Sequence, residues 1–189
     1  MEVGCWPIVI EMRLELIEEE VEIPEGVKVS SENGIIVVEG PKGVLKRKLF
    51  NPKVDIVVEG AKIKVRAKNA TRREKKVIGT FKAHIINMVK GSKDGFMYKL
   101  KICSGHFPMN VSVKDKQMIV NNFFGERIPR VMDLREGVEV VVKGDIVEVS
   151  SADKELAGQT AASIEQLTRR TAYDKRIFQD GIYIIEKAK

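Results

Sequence analysis

The 189-residue sequence predicts an α+β protein of two tandem, similar modules, each an antiparallel sheet with a helix packed on one face. Three observations predict it. Sliding the chain against itself by 84 residues aligns residues 23–65 with 107–149 without a gap, and nine of the 43 positions are identical. Short segments of alternating character fill each copy, the periodicity of half-buried strands. One helix-length segment with apolar residues three and four apart then closes each copy.

The elements are assigned in chain order. Strand-like patterning begins only after Met12, which offers an alternative start. Residues 1–11 lack the basic flank of an export signal and are expected to be a dispensable extension. The first module spans 12–93 and the second 94–189, with a junction near Gly91-Ser92-Lys93-Asp94-Gly95. Each copy opens on a short strand, Val27-Lys28-Val29 or Val111-Ser112-Val113, and turns into residues 34–39 or 118–122. A more basic strand, 44–49, leaves the turn at Gly40-Pro41-Lys42-Gly43. Hairpins come next at 54–58 with 62–68, and at 138–142 with 146–150, each turning on a glycine. The first helix is expected over 70–90 on Val77, Ile78, Phe81, Ile85, Met88 and Val89, with Gly91 ending it. The second is expected over 153–169 on Leu156, Ala157, Thr160, Ala161, Ile164 and Leu167, with Asp153 as N-cap. Residues 182–185 read as a final apolar strand.

Composition excludes several classes. No apolar stretch approaches the ~20 residues of a membrane helix. Cys5 and Cys103 are the only cysteines, so disulfide scaffolds and Cys-rich zinc sites are out, and a reducing compartment fits. His84, in the first helix, reads as a helix-surface or packing residue, and His106 as a loop residue. Neither has the company a zinc site or a general base needs, and Cys103 lacks an activating neighbour.

Charge is the stronger signal. The chain carries 33 Lys and Arg against 27 Asp and Glu, unevenly placed. Residues 1–41 balance to −8, residues 42–93 to +13 and residues 94–189 to +1. The middle segment is the footprint of a polyanion, most plausibly nucleic acid. Within it, the turn at 40–43 exposes Lys42, and Arg47 lies on the basic strand between Lys46 and Lys48. Lys68, Arg72, Arg73, Lys75 and Lys76 run from the hairpin into the first helical turns, where cations oppose the helix dipole. The tail interleaves Arg169, Arg170, Lys175 and Arg176 with Tyr173, Phe178 and Tyr183, suited to phosphate pairing and base stacking, although Phe178 fits a core equally well. Tyr173 and Gln179 would add shape recognition.

Several segments carry a family resemblance. These are Val21-Glu22-Ile23-Pro24-Glu25-Gly26-Val27, Val38-Glu39-Gly40-Pro41-Lys42-Gly43-Val44-Leu45 and Asn87-Met88-Val89-Lys90-Gly91. Gly95-Phe96-Met97-Tyr98-Lys99, His106-Phe107-Pro108, Asn122-Phe123-Phe124-Gly125-Glu126 and Phe178-Gln179-Asp180-Gly181-Ile182-Tyr183 complete them. In this order the chain resembles the large-ribosomal-subunit protein L-six family, called L-nine in eukaryotes. The tail is similar to the archaeal and eukaryotic branch and departs from the Tyr-Lys-Gly-Lys-Gly stretch of bacterial members. The resemblance implies a cytoplasmic, ribosome-bound protein of two duplicated α+β modules. Its partners would be large-subunit ribosomal RNA and neighbouring ribosomal proteins, with the second module near the sarcin–ricin loop and the translation-factor site. It also implies no catalytic role, no cofactor and no small-molecule substrate. The alternatives are an RNA-binding regulatory factor acting outside the ribosome and a small basic enzyme.

Overall fold

A computed structural model describes residues 14–174 and 176–188. The expected extension at 1–11 lies outside them. Two units form. The first runs to Glu39 and resumes over Lys46–Val89; the second holds Gly40–Leu45 and the chain from Lys90 onward.

In the first unit, strands β1 (Leu14–Glu22), β6 (Lys62–Ala70) and β5 (Asp55–Glu59) form one antiparallel sheet in that order. A second sheet orders β2 (Lys28–Glu32), β3 (Ile35–Gly40) and β4 (Gly43–Lys48). The alternation in β6 buries Ile63, Val65 and Ala67 and turns Lys62, Lys64 and Arg66 the other way. Helix α1 (Arg72–Lys93) adds Ile78, Phe81, Ile85, Met88 and Val89 to the buried set.

The second unit repeats the plan. Strands β8 (Asn110–Lys114), β9 (Gln117–Asn121) and β10 (Arg130–Asp133) make a three-stranded sheet in the order β10-β9-β8. A four-stranded sheet orders β11 (Val138–Lys143), β12 (Ile146–Ser151), β7 (Phe96–Cys103) and β13 (Gly181–Glu186). Helix α2 (Lys154–Leu167) sinks Ala161 and Ile164 into one cluster with Leu100, Met118, Val120, Val147, Val149 and Ile182. Burying such side chains contributes about 1.5–3 kcal/mol each. The expected α+β modules are therefore present, with the strands of each divided between two sheets.

Both helices differ from the sequence reading at their ends. Helix α1 starts at Arg72 rather than residue 70, because Thr71 and Glu74 form a reciprocal cap. The Glu74 carboxylate accepts the Thr71 N–H at 2.8 Å and the Thr71 hydroxyl, which in turn accepts the Arg73 N–H at 3.3 Å. At its other end, Gly91 does not stop the helix. A Cβ there would overlap the Ala152 carbonyl oxygen and come within 2.9 Å of the Phe96 ring, so this glycine permits close backbone packing. The left-handed residue is Gly95, φ +77°, whose N–H donates to the Gly91 carbonyl at 3.0 Å. Helix α2 keeps its expected N-cap, Asp153, which accepts the Glu155 N–H at 2.8 Å, but ends at Leu167 rather than residue 169. Buried Thr168 ends it there: its hydroxyl donates to the Glu165 carbonyl and accepts the Ile182 N–H at 2.9 Å, tying β13 to the helix end.

Candidate nucleic-acid interface

Part of the cation excess in 42–93 is offset by the acidic strand β1. The register sets acidic β1 against basic β6, with Glu18 opposite Arg66, Glu20 opposite Lys64 and Glu22 opposite Lys62. Lys62 bonds Glu20 at 2.9 Å, Lys64 bonds Glu59 at 2.8 Å and approaches Glu18 at 3.9 Å, and Lys82 bonds Glu19 at 2.6 Å. Hydrogen bonding to these carboxylates raises the pKa of Lys62 and Lys64, and Lys62 lowers that of Glu20. Exposed pairs of this kind contribute little to stability, but they remove charge from any polyanion footprint.

The surviving charge is concentrated. Lys68, Arg72, Arg73, Lys75 and Lys76 are all exposed, at the end of β6 and through the first turn of α1. The anion among them, Glu74, is buried and committed to the cap. Its hydrogen bonds from the Thr71 hydroxyl and N–H, with Lys53 at 3.4 Å, hold its pKa down to about 2. Arg47 is half-buried on β4 between exposed Lys46 and Lys48. Lys42 is exposed at the β3–β4 turn, which belongs to the second unit; its N–H donates to the Ser92 carbonyl at 2.9 Å.

The tail behaves differently. Arg169 and Gln179 are exposed, and Gln179 donates to the Arg176 carbonyl at 3.4 Å. The exposed Arg176 guanidinium approaches Asp174 at 3.4 Å, and Lys175 lies outside the described residues. Arg170 is partly consumed inside the protein. It bonds Glu126 at 3.2 Å and the Tyr173 hydroxyl at 3.3 Å, and stacks on the Tyr173 and Phe124 rings at 4.6 and 5.3 Å.

Around it stand residues that sequence reasoning did not assign. Phe124 lies 5.8 Å from Tyr173 and 6.0 Å from Phe178, and Tyr173 meets Phe178 edge-on at 5.2 Å. Arg130 forks onto both oxygens of Glu126 at 2.8 Å, donates to the Leu167 carbonyl at 2.7 Å and covers the Phe123 ring at 4.3 Å. Glu126 is accordingly shifted down by Arg130. Asp180, buried, accepts the Gly105 and His106 N–H groups and lies 3.3 Å from His106 Nδ1, while the His106 ring rests 5.1 Å from Phe178. His106 is a loop residue as expected, with a structural partner. Phe178 is half-buried, a wall of the cluster rather than deep core. A cleft of about 300 Å³ is lined by Phe124, Tyr173, Phe178 and Tyr183 together with Glu165, Arg169 and Asp180.

Among the described residues, no three His, Cys, Asp or Glu are grouped to hold a metal ion, and no helix is long and apolar enough to cross a membrane.

Duplicated α+β modules define the class, a two-module protein with exposed cations at the helix start of its first unit and, separately, an aromatic-flanked basic tail in its second. The chain belongs to the ribosomal protein L6 family, whose model matches twice, over residues 23–95 and 107–181, starts 84 residues apart as in the internal repeat. It is 47% identical over 173 residues to the large ribosomal subunit protein uL6 of Methanococcus vannielii, covering 92% of this chain and 95% of that one. The protein of the same name from Methanobrevibacter smithii is 45% identical over 171 residues, covering 90% and 96%.

Proposed function

We propose that this protein is a structural constituent of the large ribosomal subunit that binds large-subunit ribosomal RNA, near the sarcin–ricin loop and the translation-factor site. Lys42, Arg47, Lys68, Arg72, Arg73, Lys75 and Lys76, with Arg169, Arg170, Lys175 and Arg176 of the tail, meet phosphates; Tyr173 and Gln179 add shape recognition. One observation carries the reading. Four cations stand exposed on the first turn of α1, the positive end of its dipole, where they cost helix stability. On the neighbouring sheet Lys62 and Lys64 are paired with glutamates, yet among the described residues these four have no carboxylate partner. Each phosphate they neutralise would release condensed counterions, so affinity falls steeply with salt.

The test reverses Arg72, Arg73, Lys75 and Lys76 to Glu and measures binding to a large-subunit RNA fragment across a salt series. The variant keeps its circular dichroism, binds more weakly and loses roughly three from the log–log salt slope. Unchanged affinity at low salt removes these residues from the interface. Absence of the wild-type protein from large subunits after a moderate salt wash would instead favour a factor acting outside the ribosome.

A further inference from the structure

The cleft beside the tail is shaped for more than phosphate contact. Its volume of about 300 Å³ is at the small end for ligand pockets, the size of one nucleobase with its sugar rather than a peptide segment. Aromatic rings form one wall, and Tyr173 and Tyr183 are each more than two-fifths exposed, leaving ring surface for stacking. The lining also carries carboxylates. The Glu165 carboxylate has no hydrogen bond or ion pair among the described residues, whereas buried Asp180 spends both oxygens on the Gly105 and His106 amides and His106 Nδ1. Burial above all pushes the Tyr183 hydroxyl up in pKa, so it remains a donor.

Backbone strain converges on the same place. Phe124 (φ 51°, ψ 32°) and Ala172 (φ 69°) are left-handed without being glycine, an unfavourable conformation that persists only where surrounding contacts impose it. The Glu126–Arg130 fork lies beside this backbone, and Arg170 covers the Phe124 ring at 5.3 Å.

From this geometry we infer that the cleft receives one unstacked guanine of an RNA strand, its ring against Tyr173 and Phe178 and its N1–H and N2–H₂ edge on the two oxygens of the Glu165 carboxylate. The inference rests on the RNA reading above. Guanine alone among the four RNA bases offers two adjacent donors on one edge, the match to a carboxylate's two oxygens. Adenine and cytosine each set a ring-nitrogen acceptor beside their amino donor, and uracil flanks its single N–H with carbonyls; those acceptors would face carboxylate. An arginine side chain would also suit aromatic and acidic walls. The presence of Arg169 and Arg170 in the lining opposes that cation and favours a ligand carrying phosphate.

The experiment uses the full chain and fluorescence anisotropy with three labelled single-stranded hexanucleotides, uridines carrying one central guanine, inosine or adenine. Guanine is expected to bind roughly tenfold tighter than either, since inosine lacks the N2 amino group and adenine reverses the edge. Glu165→Gln and Tyr173→Ala each abolish the preference; if Tyr173→Ala does not fold, the half-buried Glu165→Gln carries the test. Equal binding of the three probes, with binding to the large-subunit RNA fragment intact, overturns the guanine cleft and leaves the RNA reading standing. Loss of that fragment binding itself, at low salt, overturns the RNA reading. Free 5′-GMP binding as tightly as the guanine hexamer, or its displacement by an arginine tripeptide, would give the cleft another occupant and overturn the inference.

Discussion

Two glycines inside α1 give opposite expectations for the same substitution. Gly79 faces solvent, and a Cβ added there meets nothing within 4 Å. Gly79→Ala should therefore collect the helix-propensity difference alone, about 1 kcal/mol of added stability. Gly91 is buried, and its added Cβ would collide with a backbone carbonyl, that of Ala152, and press on the Phe96 ring. A backbone carbonyl in the short bend between β12 and α2 cannot rotate away as a long side chain can. The same gain of about 1 kcal/mol is then opposed by an overpacking cost near the top of the usual 1–3 kcal/mol range. Gly91→Ala should lose about 1–2 kcal/mol net, so the two variants differ by about 2–3 kcal/mol. Urea unfolding gives the sum, and amide hydrogen exchange assigns it, since Gly79 lies in the first unit and Gly91 in the second. Slower exchange in β6 for one variant and faster exchange in β7 and β12 for the other is the expected pair. A Gly91→Ala protein as stable as wild type would show that the close approach at Ala152 does not constrain the fold.

The cap of α1 predicts a pH dependence. Glu74 has a folded pKa of about 2 against an ordinary 4.5, so the folded state favours its ionised form. Its stabilisation is fully present above about pH 4.5 and fades as pH falls toward 2; Glu74→Gln should flatten that limb of a urea-midpoint profile, and an unchanged profile would count against the cap. In the second unit, Arg130→Ala leaves Glu126 with Arg170 alone and strips a donor from the Leu167 carbonyl, which should cost about 2 kcal/mol in urea unfolding. Arg130→Lys should recover only part of this, because an ammonium cannot reproduce the fork; full recovery would refute the bidentate account.

The helices and hairpins were legible because their apolar spacings are local, and each boundary error has a physical reason. Thr71-Arg72-Arg73-Glu74 is a capping-box pattern visible in the sequence and marks the start of α1 more closely than apolar spacing does. Gly91 misleads because glycine serves both left-handed turns and close backbone contacts, and only Ala152, 61 residues away, decides which. The charge count misleads similarly, since segment totals carry no register and β1 folds back onto β6. In the tail, composition announced cations and aromatics but not that Arg170 would be shared with Glu126 from a loop 44 residues earlier. Even the ungapped repeat hides a shift. Asn33 and Gly34 match Asp115 and Lys116 as the positive-φ turn pairs, an offset of 82, whereas Gly60 and Gly144 keep 84. Two residues is one strand period, so the slip leaves inward and outward faces aligned and the mismatch invisible to pattern.

The duplication also explains where the modules diverge. Thr71 and Asp153 cap the two helices at the 82-residue offset, so the local chemistry of starting the helix is common to both copies. The residues just inside the caps differ: Arg72, Arg73, Lys75 and Lys76 in one helix, Lys154 and Glu155 in the other. A helix start often binds anions through its free amides. At α1 this route is partly closed, because the Thr71 and Arg73 N–H groups are already taken by Glu74 and by the Thr71 hydroxyl. A phosphate there must be met by guanidinium and ammonium groups reaching outward, with the Glu74 carboxylate occupying the amide-side position. Binding at this site should therefore track side-chain charge and not cap geometry: Thr71→Ala would lower stability by about 1 kcal/mol while leaving the salt slope of RNA binding unchanged.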